Sequence, residues 1–208
     1  MRFFVLGATG KTGTQLVELA LQQGHTVTAF VRSPQKLAQR PGLTVIQGSP
    51  SDVPAMARAM AGHDAVFSAL APSMGETLTS PSKRTWTMAG HASNIVQAMK
   101  QANVTRVLAF SSAGLFPGQS LFVRLLSYPA RHHMTDLKAM EATYQASDLE
   151  WTLVRPTWMG AGDSEAYRVA PGALPDGSKA MHYRGLAKFM VEAASQGSHR
   201  HELMGIGR

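Results

Sequence analysis

The chain has 208 residues, 44% of them hydrophobic and 16% charged, with 19 Gly and 11 Pro. That balance excludes a disordered, fibrous or low-complexity protein and suits one globular domain over residues 1–208. The absence of Cys excludes disulfides, thiolate metal sites and a cysteine nucleophile. Lys+Arg 20 against Asp+Glu 13 gives a formal net charge of +7, so a nucleic-acid or membrane-surface role has to be decided by the motifs.

Strands and helices alternate from the first residues on. Arg2–Leu6 reads as a short buried strand, and Lys11–Gln23 as a helix, with Leu16, Leu19 and Ala20 at helical spacing and Gly24 as its stop. His25–Arg32 alternates as a second strand and Leu43–Gln47 is a third. Asp52 caps a helix over Asp52–Ala61, and Asp64–Leu70 is a fourth strand. A long helix, Lys83–Asn103, precedes a fifth strand at Val104–Phe110. Then come a helix at Thr135–Ser147, a sixth strand at Trp151–Arg155, a helix at Tyr183–Gln196 and a last strand at Glu202–Ile206. Met56, Met60, Met99 and Met140 fall at core positions of these helices.

This rhythm predicts an α/β fold, a Rossmann-type doubly wound parallel sheet with right-handed crossovers and helices on both faces. Three irregular stretches, 72–81, 113–131 and 157–182, each follow a strand end. In such sheets ligands bind beyond the carboxyl ends of the strands, so these stretches are expected to wall the substrate side. No apolar run approaches the roughly 18–20 residues of a membrane span, and no signal-peptide core is present. The expected location is cytoplasmic.

Between the first strand and first helix stands Gly7-Ala8-Thr9-Gly10-Lys11-Thr12-Gly13, a G-x-x-G-x-x-G turn. Gly7 permits a tight turn, Gly10 a close approach of backbone to a pyrophosphate, and Gly13 close packing of helix on sheet. The helix N-terminus then offers amides and its positive dipole end to the anion. A P-loop is excluded, since the four-residue gap followed by Gly-Lys-Ser/Thr is absent. The second strand runs out into Arg32-Ser33-Pro34-Gln35-Lys36. An NAD site places an acid here for the ribose 2′-hydroxyl. This chain places Arg32 and Lys36, which suit a 2′-phosphate, and Lys11 adds charge nearby. NADP(H) is therefore expected in preference to NAD(H).

With these motifs placed, the sequence resembles the atypical short-chain dehydrogenases/reductases of the NAD(P)H-binding kind, the group of NmrA-like proteins and of flavin and biliverdin-IXβ reductases. The resemblance is carried by GATGKTG at 7–13, RSPQK at 32–36, DAVFSALA at 64–71, RVLAFSSAG at 106–114, LEWTLVRP at 149–156 and YRGLAKFMV at 183–191. It implies that Gly7, Thr9, Gly10, Lys11, Thr12 and Gly13 hold the cofactor's phosphates. Arg32, Ser33 and Lys36 would hold its 2′-phosphate, and Ser49 and Pro50 would lie by the adenine. Leu70 and Ala71 would flank the ribose near the nicotinamide, Ser111 and Ser112 would lie beside its ring, and Pro156, Thr157 and Trp158 would shape its other side. Many relatives carry Asp where Ser49 stands.

Classical members of the superfamily protonate a carbonyl with Tyr-x-x-x-Lys and a Ser. Here Tyr128 is followed by His132, and Lys138 is preceded by Met134, so neither pair is complete. Two functions remain. One is hydride transfer from NADPH to a flavin, quinone or other small conjugated acceptor that takes its proton from water, with Ser111, His132 and Lys138 as candidate catalytic residues. The other is a redox-sensing protein that binds NADP(H) with little or no turnover. The apolar run Leu115, Phe116, Leu121, Phe122 and Leu125 would line a flat pocket, form a partner surface or simply pack against the core. Adjacent His132 and His133 point about 100° apart on a helix, so no metal site is expected. Lys138 and Glu141 stand three apart as a helical ion pair. Trp86 is placed to stack on substrate or to pack. A sugar epimerase lacks its Tyr-x-x-x-Lys here. A nucleic-acid partner lacks any recognised motif, since the basic residues are spread from Arg2 to Arg208.

Overall fold

The computed structural model describes residues 1–71, 87–117 and 131–208. Among these, ten strands and five helices alternate: β1 (Arg2–Leu6), α1 (Lys11–Gln22), β2 (Thr26–Val31), β3 (Leu43–Gln47), α2 (Val53–Met60), β4 (Ala65–Ser68), α3 (Thr87–Ala102), β5 (Arg106–Phe110), α4 (Arg131–Gln145), β6 (Glu150–Pro156), β7 (Met159–Gly160), β8 (Arg168–Pro171), β9 (Met181–His182), α5 (Tyr183–Gln196) and β10 (Glu202–Gly207). Eight strands form one sheet in the order β3-β2-β1-β4-β5-β6-β10-β8, and β7 pairs with β9 in a separate ribbon. The large sheet is parallel except at its end, where β8 runs antiparallel to β10. This is the expected doubly wound sheet with one antiparallel edge strand added.

Strand alternation sorts the core into two layers. Phe3 and Val5 of β1 face one side, with Leu16 and Ala20 of α1 and Leu186 and Met190 of α5. Phe4 and Leu6 face the other, with Met56 and Met60 of α2, Ile95 and Met99 of α3, and Met140 and Tyr144 of α4. The four methionines assigned to the core from their spacing are all buried. Full burial of such a side chain contributes about 1.5–3 kcal/mol, so the layers rather than helix propensity hold these elements in place.

Local signals behave as their chemistry requires. Asp52 accepts the Ala55 amide at 3.0 Å and caps α2. Gly24, just past α1, has φ +78. The stretch 157–182 departs from the irregular segment expected of it: it carries β7, β8 and β9. Two-residue strands are too short to show a period of two, and β8 ends in Pro171 on an open edge, where a missing N–H is tolerated. Helix α4 begins at Arg131, four residues earlier than its hydrophobic pattern suggests, which takes His132 and His133 into its first turn. The segments 72–81 and most of 113–131, with Trp86, Leu121, Phe122, Leu125 and Tyr128, lie outside the described residues.

Candidate functional site

The chain order determines where a cleft opens. From β1 it moves outward to β2 and β3, then returns to β4 on the other side of β1. Loops leaving the carboxyl ends of β1 and β4 therefore diverge, and the gap between them is the switch point at which such sheets bind ligands. A cavity of about 510 Å³ lies there. Gly7, Thr9, Gly10, Lys11 and Thr12 line it beyond β1. Arg32, Ser33 and Lys36 line it beyond β2, Leu70 and Ala71 beyond β4, and Phe110 at the end of β5. The cavity thus runs across the sheet from a polar end over β2 to an apolar end over β5.

The glycines of the turn are required by contact. Gly7 has φ +76, and a Cβ on it would overlap the Ala69 carbonyl of the neighbouring strand's end. A Cβ on Gly13 would overlap the Gly7 carbonyl. Gly13 does not line the cavity. It lets α1 sit against the turn, with the Gly10 amide donating to the Gly7 carbonyl at 2.9 Å. Gly10 is the N-cap of α1 and brings no side chain to it, and the first turn carries no acid. The N-terminus of a 12-residue helix therefore meets the cavity with its amide dipoles unopposed by a carboxylate. The charged residues lining the cavity are Lys11, Arg32 and Lys36, with no Asp or Glu among the described lining residues. A glycine turn that Cβ atoms on Gly7 and Gly13 would disrupt, faced by three cations, fits the phosphates of a dinucleotide.

The remaining residues singled out from the sequence divide. Pro50 lines the cavity, and its carbonyl accepts from Asn94 Nδ2 at 3.0 Å. Ser49 is not among the lining residues, and its Oγ accepts the Ser51 amide. Ser111 is 6% exposed. Its amide donates to the Val154 carbonyl at 2.7 Å, while its Oγ has no partner among the described residues. Ser112 Oγ accepts the Gly114 amide and closes a 3-10 turn at Ala113–Leu115. Pro156 ends β6 as a buried residue, and Thr157 Oγ1 donates to the Lys179 carbonyl. Trp158 is 89% exposed, and its neighbour Met159 lines the cavity. His132 is half-buried on α4 and Lys138 is exposed; neither is among the described lining residues.

The expected Lys138–Glu141 pair does not form. Glu141 turns inward and takes Arg155 of β6 in a two-pronged contact, Nε–Oε1 at 2.9 Å and Nη2–Oε2 at 2.6 Å. Helical spacing identifies a neighbour three residues away, but a strand 14 residues on offers a planar guanidinium whose fork matches the carboxylate. Arg155 also lies 4.7 Å from the centroid of the Phe116 ring and so ties α4, β6 and the segment after Ser112 together. Asp136, buried one turn before, accepts the amides of Met88 and Ala89, both at 2.9 Å, and caps the start of α3 from another helix. Burial lowers the His133 imidazole below its ordinary value, against the opposing pull of Asp136. Phe30 and Val31 line the cavity with no sequence signal beyond their place in a strand, whereas Phe110 lies in the 106–114 block and Met159 in the stretch expected to wall the substrate side. Tyr183 opens α5 more than 170 residues from the turn it faces.

Comparison with known proteins agrees with this geometry. The sequence profile of a family described as NAD(P)H-binding matches residues 7–197. A 3 beta-hydroxysteroid dehydrogenase/Delta 5-->4-isomerase of Mycobacterium tuberculosis is 33% identical over 122 residues, which is 56% of this chain and 33% of that protein. The photosystem II assembly factor Ycf39 of Synechocystis is 28% identical over 157 residues, 74% of this chain and 44% of that protein. The chain thus spans from a third to less than half of the length of these relatives. Among solved structures, a short-chain dehydrogenase/reductase of Veillonella parvula in complex with NADP superposes with a TM-score of 0.80 at 18% identity, over 100% of this chain and 94% of that one. It shares the fold. No helix among the described residues is long and apolar enough to cross a membrane. With the Rossmann-type sheet, the glycine turn at its switch point and a family match across residues 7–197, the chain belongs to the NAD(P)H-binding family.

Proposed function

We propose that the cleft binds NADP(H) and that the protein transfers hydride from NADPH to a flavin, a quinone or another small conjugated acceptor. The observation that carries this is the charge of the lining: Lys11, Arg32 and Lys36, with no carboxylate among the described lining residues. A ribose 2′-hydroxyl calls for an acceptor at the end of β2, whereas a 2′-phosphate calls for cations, and Arg32 brings a planar fork to it. Lys36 and Ser33 stand in the same short 3-10 turn. Gly7 and Gly10 let the diphosphate approach the start of α1. The far end of the cleft, at Leu70, Ala71, Phe110 and Met159, is apolar and suits a flat ring system.

Bound there, NADPH supplies the hydride. This chain's part is to hold the dinucleotide across the strand ends and to exclude water from its ring end. An acceptor that takes its proton from solvent needs no Tyr-x-x-x-Lys, and catalysis then rests on positioning. A second reading, an NADP(H)-sensing protein with little turnover, is favoured by one fact. Ser111, His132 and Lys138, the candidate catalytic groups, are absent from the described lining.

Fluorescence titration with NADPH and NADH, followed by NADPH oxidation with FMN, a quinone and biliverdin as acceptors, separates the readings. Tighter binding of NADPH with turnover of an acceptor is expected. Binding without oxidation by any acceptor selects the sensor, and failure to bind either nucleotide overturns both.

A further inference from the structure

An aromatic ring stands beside the glycine turn. Lys11 extends over Tyr183, its Nζ 5.5 Å from the ring centroid, and both residues line the cleft. Tyr183 is the first residue of α5 and does not reach this place by chance. Arg184, beside it, holds Glu165 at 2.9 Å and three residues along α1, Gln15 and Glu18 at 3.3 Å and Gln22 at 3.1 Å. Lys188, one turn on, holds Glu165 as well, at 3.2 Å. The start of α5 is therefore clamped along α1, whose own first residue is Lys11.

An exposed lysine on an open turn samples many rotamers and gives up that freedom when it binds an anion. The π face of Tyr183 attracts the ammonium and narrows that sampling beforehand. We infer that Tyr183 is a binding residue for the diphosphate half of the cofactor: its ring holds Lys11 over the glycine turn so that the ammonium is in place when the diphosphate arrives. Arg184 is the positioning residue that sets the ring. This rests on the dinucleotide reading of the cleft, and it adds a residue from the far end of the chain to the phosphate site.

The test is calorimetric titration of the whole chain with NADPH and with adenosine 2′-monophosphate, which carries the 2′-phosphate but no diphosphate. Tyr183→Leu, which keeps apolar bulk without a π face, should weaken NADPH about three- to tenfold and leave adenosine 2′-monophosphate unchanged. Tyr183→Phe should retain NADPH affinity. In a Lys11→Gln background Tyr183→Leu should have no further effect. Tyr183→Met serves as the second variant, read the same way, should the Leu variant fail to fold. Unchanged NADPH affinity in Tyr183→Leu, equal weakening of both ligands, or a Phe variant as weak as the Leu variant would overturn the inference while leaving the dinucleotide reading intact. A wild-type chain that binds adenosine 2′-monophosphate and NADPH no better than adenosine overturns the dinucleotide reading itself.

Discussion

Glu141→Leu removes one half of an ion pair whose two side chains are only 4% (Glu141) and 12% (Arg155) exposed. The guanidinium left behind loses its partner carboxylate. It would stay buried beside α4 without its two contacts at 2.9 and 2.6 Å. Breaking one side of such a pair costs about 3–5 kcal/mol. At about 2–4 °C per kcal/mol for a chain of this size, the melting temperature should fall by roughly 6–20 °C. Replacing both partners by apolar groups of similar volume, Glu141→Leu with Arg155→Met, removes the stranded charge. The double variant should then lie within about 1–2 kcal/mol of the wild type. The loss that remains comes from the Arg155 contact with Phe116, of the order of 1 kcal/mol. Urea unfolding followed by circular dichroism, with both transitions fitted for midpoint and slope, reads these values. The decisive quantity is the coupling between the two substitutions. Additive destabilisation in the double variant, or a single variant within about 1 kcal/mol of wild type, would refute the reasoning that a stranded charge is the source of the cost.

Arg32→Ala should weaken NADPH by roughly tenfold or more, the scale of a lost charge-assisted hydrogen bond, and leave NADH nearly unaffected; equal weakening of both by fluorescence titration would remove Arg32 from the 2′-phosphate. Gly13→Ala forces a Cβ against the Gly7 carbonyl and should destabilise the fold by about 1–3 kcal/mol while also lowering nucleotide affinity; a variant that melts and binds as wild type does would show that the turn can shift without cost. The half-buried His133 is harder to protonate in the folded chain than its ordinary value of 6.5 implies, chiefly through desolvation. As pH falls through that value the unfolded chain binds more protons, so the contribution of His133 is present above it and lost below it. Comparing urea midpoints at pH 8 and pH 5.5, His133→Gln should lose less stability than wild type; an identical loss would contradict this.

How much of this was legible beforehand depends on the range of the signal. The glycine turn and the cations after β2 could be read directly. Their chemistry is local: a turn that needs φ +76 at Gly7, and a basic pair a few residues past a strand end. The core methionines could be read because a helix repeats every 3.6 residues and β1 alternates between two layers. The strands within 157–182 could not, because two residues carry no period, and β8 exists only because β10 presents an edge to it.

The alternation of elements and the glycine turn thus determined the fold class and the place of the cleft, since both arise from local periodicity and backbone geometry. Only the tertiary structure decided the partners of the charged residues. Local spacing pointed Glu141 to Lys138, whereas packing gave it Arg155 from the adjacent sheet. The same holds for Tyr183, set over Lys11 by helices that meet only in the folded chain. A buried carboxylate takes the partner that packing brings within reach, and sequence distance carries no information about which one that is.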